Sequence, residues 1–225
     1  MPPRSTTRTA TTRSATTRAA TTRAAATRAP SAPDESVVRL RVREAARGEF
    51  AAHGLDAASV HTIAKSAGVT AALINYYFGG KRALYDAVVE EAQGRLLARL
   101  AEAIGSTSKG GAPARLAGAY FDFLAEDGQL QRLLLRQILD RDDHVRERSA
   151  LFVGPLRAFL EQHFGVGDPA VQGAISLFGA VAGYFLYEPV LAPFLGDDPL
   201  SEESLARRRA HVIRLATVLE KESRR

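Results

Sequence analysis

The segment SVHTIAKSAGVTAALINYYFGGKRAL, residues Ser59–Leu84, changes texture along its length. It opens with small and apolar residues, places Asn75, Tyr76 and Tyr77 side by side, and closes on Gly79-Gly80-Lys81-Arg82. Ser59 is a good N-cap, and Ile63, Ala64 and Ala67 form the inner face of a two-turn helix. Gly68 supplies the left-handed residue that ends it, because a residue without a Cβ adopts positive φ at little cost. Thr70 then caps a second short helix carrying Ile74 and Phe78 inward at i, i+4. Two short helices joined by a glycine turn make a helix-turn-helix, whose second helix enters the DNA major groove.

That geometry gives the polar cluster a purpose. With Ile74 and Phe78 turned in, the second helix offers Ala72, Leu73, Asn75, Tyr76 and Tyr77 outward. Ala71 and Ala72 are small enough to let the backbone approach a duplex. Asn75 matches an adenine edge or a phosphate, and Leu73 a thymine methyl. Tyrosine hydroxyls and the Lys81 ammonium are phosphate donors. The start of the first short helix adds Ser59 and backbone N–H groups, with His61 and Lys65 on its outer side. The plainer alternative is a two-helix corner of an α protein with tyrosines filling surface.

Outward from this segment the apolar spacing stays helical from Asp34 on, with no useful strand-like alternation. A first helix starts near Asp34 or Ser36, shows Val38, Val42, Ala45, Ala46 and Phe50 on one side, and ends at His53-Gly54. Others are expected at 85–104, from Pro113 (with Leu116, Tyr120, Phe123 and Leu124 on one face), at Leu130–Leu139 and at Val145–His163. Asp168-Pro169 opens a long apolar helix to about Tyr187, and Ser201 caps the last. The expectation is an all-α protein of roughly nine helices.

Residues 63–91, IAKSAGVTAALINYYFGGKRALYDAVVEE, resemble the DNA-binding segment of tetracycline-repressor-type (TetR/AcrR) regulators. The likeness lies in the Ile-Ala start, the Ala-Gly-Val turn, the Tyr-aromatic-Phe run and the lysine followed by leucine, and it extends to the preceding helix, 36–54. It implies a homodimer with an N-terminal three-helix DNA head and a larger helical body that binds a ligand and dimerises. On this chain the implied DNA contacts fall on Ser59, Thr70, Ala71, Ala72, Leu73, Asn75, Tyr76, Tyr77 and Lys81. Many relatives carry tyrosine at the position of Asn75 and histidine at that of Tyr77, so no relative's operator can be borrowed. The expected division is a basic tail over 1–33, a helix-turn-helix head over 34–83 and a regulatory and dimerisation body over 84–225.

The helix over 169–187 makes an independent case for a partner copy. Ile175, Phe178, Ala182 and Phe185 lie on one side and Leu177, Val181 and Tyr184 on another, more apolar surface than one subunit needs to cover. Gly173, Gly179 and Gly183 hint at close helix approach. With Leu205, Val212, Leu215 and Leu219 of the last helix, these residues outline a two-fold interface. Candidates for an apolar ligand cavity are Tyr120, Phe123, Leu134, Gln137, Phe152, Phe178 and Tyr184, although each serves equally well as core.

Charge is unevenly placed. Six of the 30 basic residues, Arg4, Arg8, Arg13, Arg18, Arg23 and Arg28, lie in residues 1–33 with no acid; the remaining 24 face all 25 acids, leaving −1 on residues 34–225. Beyond Met1 and prolines, nothing larger than alanine is apolar before Val37, so the tail cannot offset its ordering entropy. Three readings stay open: a disordered arm contacting phosphates without sequence preference, a bland extension or upstream start site, and a transit-peptide-like leader.

There is no cysteine, which removes disulfides and thiolate metal sites. No run of about 18 apolar residues suggests a spanning helix; the richest stretch, residues 174–195, is cut by Gly183, Glu188, Pro189 and Pro193. No P-loop, dinucleotide fingerprint, HExxH or nucleophile motif occurs, so neither an enzyme nor a cofactor is expected. Asp140–His144, DRDDH, reads as a polar helix junction, and His53, His163 and His211 have no metal-ligand spacing. The expected function is a sequence-specific transcriptional regulator in the cytoplasm, at the nucleoid. Its partners are a pseudo-palindromic double-stranded operator, a second copy and a small apolar or amphipathic effector that releases it, with no membrane. A nucleoid-type binder of low specificity that relies on the arm is the alternative.

Overall fold

The chain divides at Pro33–Asp34 into two units. A computed structural model describes residues 34–105, 111–139 and 168–223. Among these residues there are helices and no strands: α1 (Glu35–Ala57), α2 (Val60–Ala67), α3 (Ala71–Phe78), α4 (Lys81–Gly105), α5 (Ala112–Glu126), α6 (Gly128–Leu139), α7 (Asp168–Leu186), α8 (Glu188–Leu195) and α9 (Glu202–Ser223). The tail, the expected helix over 145–163, Phe152, His163 and the DRDDH run lie outside the described residues.

Local chemistry accounts for most helix boundaries. Asp34 caps α1, accepting from the backbone N–H and the hydroxyl of Ser36 at 3.0 and 2.9 Å. These bonds, the backbone one first, hold its carboxyl below the usual value. Val38, Val42, Ala46 and Phe50 recur at i, i+4 and are all buried. Gly54, at φ 72°, breaks the helix where the sequence predicts its end, and one more turn follows to Ala57. Ser59 accepts from the Thr62 N–H, Gly68 closes α2 in the left-handed region, and Thr70 accepts from the Leu73 N–H. Asp127 opens α6 by accepting from the N–H groups of Gln129 and Leu130 at 2.9 and 3.0 Å. Ser201 caps α9 through the Ser204 N–H.

Helix α8 is absent from the sequence-based expectation, because Pro189 and Pro193 read as breakers. Pro189 falls in its first turn, where a missing N–H costs nothing, and α8 leaves α7 at a bend of 82°. No single helix among the described residues is long and apolar enough to cross a membrane.

The head and body share two struts. α1 packs against α2, α4 and α6, and α4 packs against α1, α3, α5 and α6. One continuous core runs from Val42, Phe50, Ile63 and Ile74 through Leu84 and Val89 to Leu124, Leu133, Val181 and Val212. Phe50 and Tyr85 meet edge to face at 5.1 Å across α1 and α4. Thus α3 hangs on this core through Ile74, which is 0% exposed, while Phe78 is only half-buried rather than fully inward.

Ile74→Ala is expected to lower the unfolding free energy by about 2–5 kcal/mol, whereas Tyr76→Ala, outside the core, should change it by less than about 0.5 kcal/mol. Urea unfolding followed by circular dichroism compares the two.

Candidate nucleic-acid interface

The outward side of α3 presents Ala72, Asn75 and Tyr76, with Thr70 exposed at its cap. Tyr76 is 81% exposed, an extreme value for a large ring. Ala71, Leu73 and Tyr77 are half-buried and pack one side against the core. Tyr76 and Tyr77 meet edge to face at 5.2 Å. His61 and Lys65 on α2 are exposed. Seven expected contact residues therefore surround one face of a two-helix unit: His61, Lys65, Thr70, Ala72, Asn75, Tyr76 and the outer edge of Tyr77.

Two expected phosphate contacts already have partners. Lys81 Nζ donates to the Asp56 carbonyl at 2.8 Å, tying the start of α4 to the end of α1. The Ser59 N–H donates to Glu49 Oε1 at 2.9 Å, so a carboxylate answers the N-terminus of α2 where a phosphate was anticipated. A group missed in the sequence is Arg39 of α1, whose guanidinium carbon lies 5.1 Å from the Tyr77 ring centroid and 5.8 Å from that of Phe78. Only the Glu35–Arg39 spacing was legible beforehand; the stacking joins residues nearly forty positions apart.

The body candidates lie in the core. Tyr120, Phe123, Leu134, Gln137 and Tyr184 are buried, and Phe178 is half-buried against the ring of Tyr120 at 5.1 Å. Tyr184 packs instead beside Phe121 and Phe185, and its hydroxyl donates to the Pro199 carbonyl at 2.7 Å. Gln137 accepts from Gln93 Nε2 at 3.1 Å. Two clefts among the described residues are lined by other side chains: one of about 480 Å³ along α4, α5 and α9, and one of about 280 Å³ between α1, α4 and α6. No cluster of three or more metal-ligating side chains occurs among the described residues.

Of the expected interface residues, Ile175 is 58% exposed, whereas Phe178, Ala182, Leu205, Leu215 and Leu219 are half-buried. Phe185 and Val212 depart from the expectation: at 4% and 0% exposure they fill their own subunit's core and offer a partner nothing. The helical repeat alone could not tell the inner face of α7 from its outer one. The inner set is Leu177, Val181 and Tyr184 together with Phe185. The glycine reading also changes, because no atom outside their own helix backbone lies within 4 Å of a Cβ built on Gly173 or Gly179. Neither makes a close approach to another described residue.

A fold of this kind, with a capped helix-turn-helix on a helical body, is matched in known proteins. Residues 42–88 fit the sequence pattern described as bacterial regulatory proteins, tetR family. Residues 42–88 are a DNA-binding domain of the TetR family. Regulators of that family are DNA-binding transcriptional regulators, the coarse function that this domain gives the chain. Among solved structures, a candidate transcriptional regulator from Streptomyces coelicolor is similar at 28% identity and TM-score 0.59, over 80% of this chain and 96% of that one. A TetR-like regulator from a Rhodococcus species has TM-score 0.63 at 17% identity, over 81% and 95%. The regulator FadR from Bacillus subtilis, solved with stearoyl-CoA, has TM-score 0.62 at 18% identity, over 79% and 97%. The last two show likeness of fold alone. No curated protein sequence matches.

Burial pushes the Tyr120 hydroxyl up to about 12. Unfolded, it would ionise near about 10, so the folded state favours the neutral phenol. Its stabilising contribution is complete below the unfolded value and is lost as pH climbs from there through the folded value. In an ultraviolet titration of phenolate absorbance, Tyr120→Phe is expected to remove the late ionisation step.

Proposed function

We propose that the chain is an operator-specific repressor that binds as a two-fold dimer and is released by a small apolar or amphipathic ligand. The observation that carries this reading is the mounting of α3: Ile74 is sealed in the core while Ala72, Asn75 and Tyr76 face away from it. An exposed asparagine can bond an adenine edge bidentately, and exposed tyrosine hydroxyls can hold the phosphates that set register. The contacts on α3 itself are uncharged, which suits discrimination between sequences better than indiscriminate attraction to phosphate.

The dimer is supported by the outer side of α7 and its neighbours. Ile175, Leu186, Tyr187, Val190, Phe194 and Val218 expose apolar surface. Gly179 leaves room that no other described residue fills. A two-fold pair would place two recognition helices about one DNA turn apart, roughly 34 Å.

Ligand response is supported by the polar latch between α1 and α6. Arg47 meets Asp127, the cap of α6, at 3.3 Å. Farther along, Arg136 donates to the Ala52 carbonyl at 3.4 Å. The same α6 contributes Leu133 and Leu134 to the core, so a molecule entering that core would shift both ends of the latch. Stearoyl-CoA, bound in the Bacillus subtilis structure, is a reasonable first probe.

The second reading, a low-specificity nucleoid-type binder, draws on the +6 charge of residues 1–33 against −1 on the remainder. Selection of genomic fragments by the purified protein separates the two. A repressor is expected to prefer its best fragment over random DNA by at least about 1000-fold at physiological salt. Asn75→Ala should cost the selected site about 5- to 100-fold, consistent with loss of one bidentate base contact, and random DNA far less. A salt-driven binder with no preferred fragment, equally affected by the substitution, would overturn the proposal. For the dimer, light scattering should report twice the chain mass, and Ile175→Glu should shift it toward the monomer.

A further inference from the structure

Recognition helix α3 is only two turns long and is bounded by left-handed glycines, Gly68 before its cap and Gly79 after it. A helix of that length has no stability of its own in water; Tyr77 packs only one side against the core, and Tyr76 has no core contact to fix it. Tyr76 in particular is 81% exposed. An unrestrained tyrosine on a helix surface samples more than one χ1 well, and each wrong rotamer must be given up when DNA binds. Something beyond Ile74 has to orient these rings.

We propose that Arg39 of α1 is a positioning residue for the Tyr76–Tyr77 pair, acting on the rings and not on DNA phosphate. This inference rests on the reading above that α3 faces DNA. The guanidinium lies over Tyr77 at 5.1 Å and near Phe78 at 5.8 Å, within the range of cation–π attraction. Arg39 is held from the other side by Glu35. Its Nε donates to Glu35 Oε1 at 2.9 Å, and its NH2 lies 2.9 Å from the same oxygen. Glu35 is itself fixed in the first turn of α1, next to the cap formed by Asp34. The chain of contacts therefore runs from the capped start of α1 through a charged plate to Tyr77. From Tyr77 it continues to Tyr76, which meets it edge to face at 5.2 Å and 65°.

The chemistry favours orientation over phosphate capture. Glu35 already compensates the positive charge with two contacts, so moving Arg39 onto a phosphate would leave a carboxylate facing a polyanion. A planar guanidinium also stacks on a ring in a way an ammonium does not. At a partly exposed site such stacking shifts a conformational population by about two- to fivefold, and two rings coupled to each other share the effect. Tyr77 thereby becomes a pre-set contact in place of a flexible one, which reduces the ordering cost of binding.

The test uses the full chain, with Arg39→Met to keep the aliphatic stem, Arg39→Lys to keep the charge, and the selected operator fragment alongside random DNA. Arg39→Met is expected to weaken operator binding about three- to tenfold and random binding by less than about twofold. The slope of log affinity against log salt should stay unchanged, because no phosphate contact is lost. Arg39→Lys should recover part of the loss. Without DNA, ring spectra of tyrosine-labelled protein should show the Tyr76 and Tyr77 signals displaced in Arg39→Met, with those of buried Tyr85 and Tyr120 unmoved. Tyr76→Phe and Tyr77→Phe assign the two signals.

Equal losses on both DNAs with a salt slope reduced by about 0.9 would identify a phosphate contact and overturn the proposal. So would unchanged ring signals, or ring changes spread over all six tyrosines of the chain, which would indicate general destabilisation. The spectra need no DNA, so a wild-type protein without operator preference would sink the functional reading by itself, whatever the rings report.

Discussion

The burial of one isoleucine organises the DNA-facing half of this protein. Ile74, with Ile63 and Leu84, sits in the common core at 0% exposure, and α3 is too short to hold a position by its own hydrogen bonds. Once that side chain is inserted, the helix cannot rotate without withdrawing it, and the 100° step between residues decides which side chains face outward. Gly68 makes the insertion geometrically possible, since its left-handed conformation reverses the chain tightly enough for Ile63 and Ile74 to share the core. Removing the isoleucine would therefore disturb the orientation of the polar face as well as stability.

How much could be read in advance follows from the range of the interaction. Caps were legible because they act over two or three residues: Asp34 on Ser36, Ser59 on Thr62, Thr70 on Leu73 and Ser201 on Ser204. The break at Gly54 was legible for the same reason. Contacts between distant segments were not. Lys81 meets Asp56 across 25 positions, and Arg39 reaches Tyr77 across a still longer span, so an expected phosphate donor also braces α4 against α1 and an unremarked arginine sits among the aromatic rings. Glu49 took the Ser59 N–H for a reason no local pattern encodes. Likewise α7 is apolar on several sides, and only packing reveals that Phe185 belongs inside and Ile175 outside.

Between head and body the connection is stiff on one side and polar on the other. α4 runs without interruption from the helix-turn-helix into the body, and its Tyr85 meets Phe50 of α1 edge to face. The α1–α6 contact is different in character. It includes the Arg47–Asp127 pair, and the side chain of Gln129 lies 3.5 Å from where a Cβ on Gly48 would be. The Arg136 guanidinium lies at 2.8 Å from the corresponding point on Gly54. Partly exposed ion pairs of this kind contribute little to stability individually. They exchange partners at small cost, which is what the proposed ligand response would ask of this joint.

The separation of mounting from presentation has an evolutionary consequence. Ile74 carries the seating of α3, while Ala72, Asn75 and Tyr76 project away from the core, so substitutions at these three positions escape most of the packing penalty that constrains interior sites. A lineage could rewrite the vocabulary of its binding site one letter at a time and keep the scaffold that pronounces it. Duplicated copies of such a gene could diverge in target while their folding remained interchangeable.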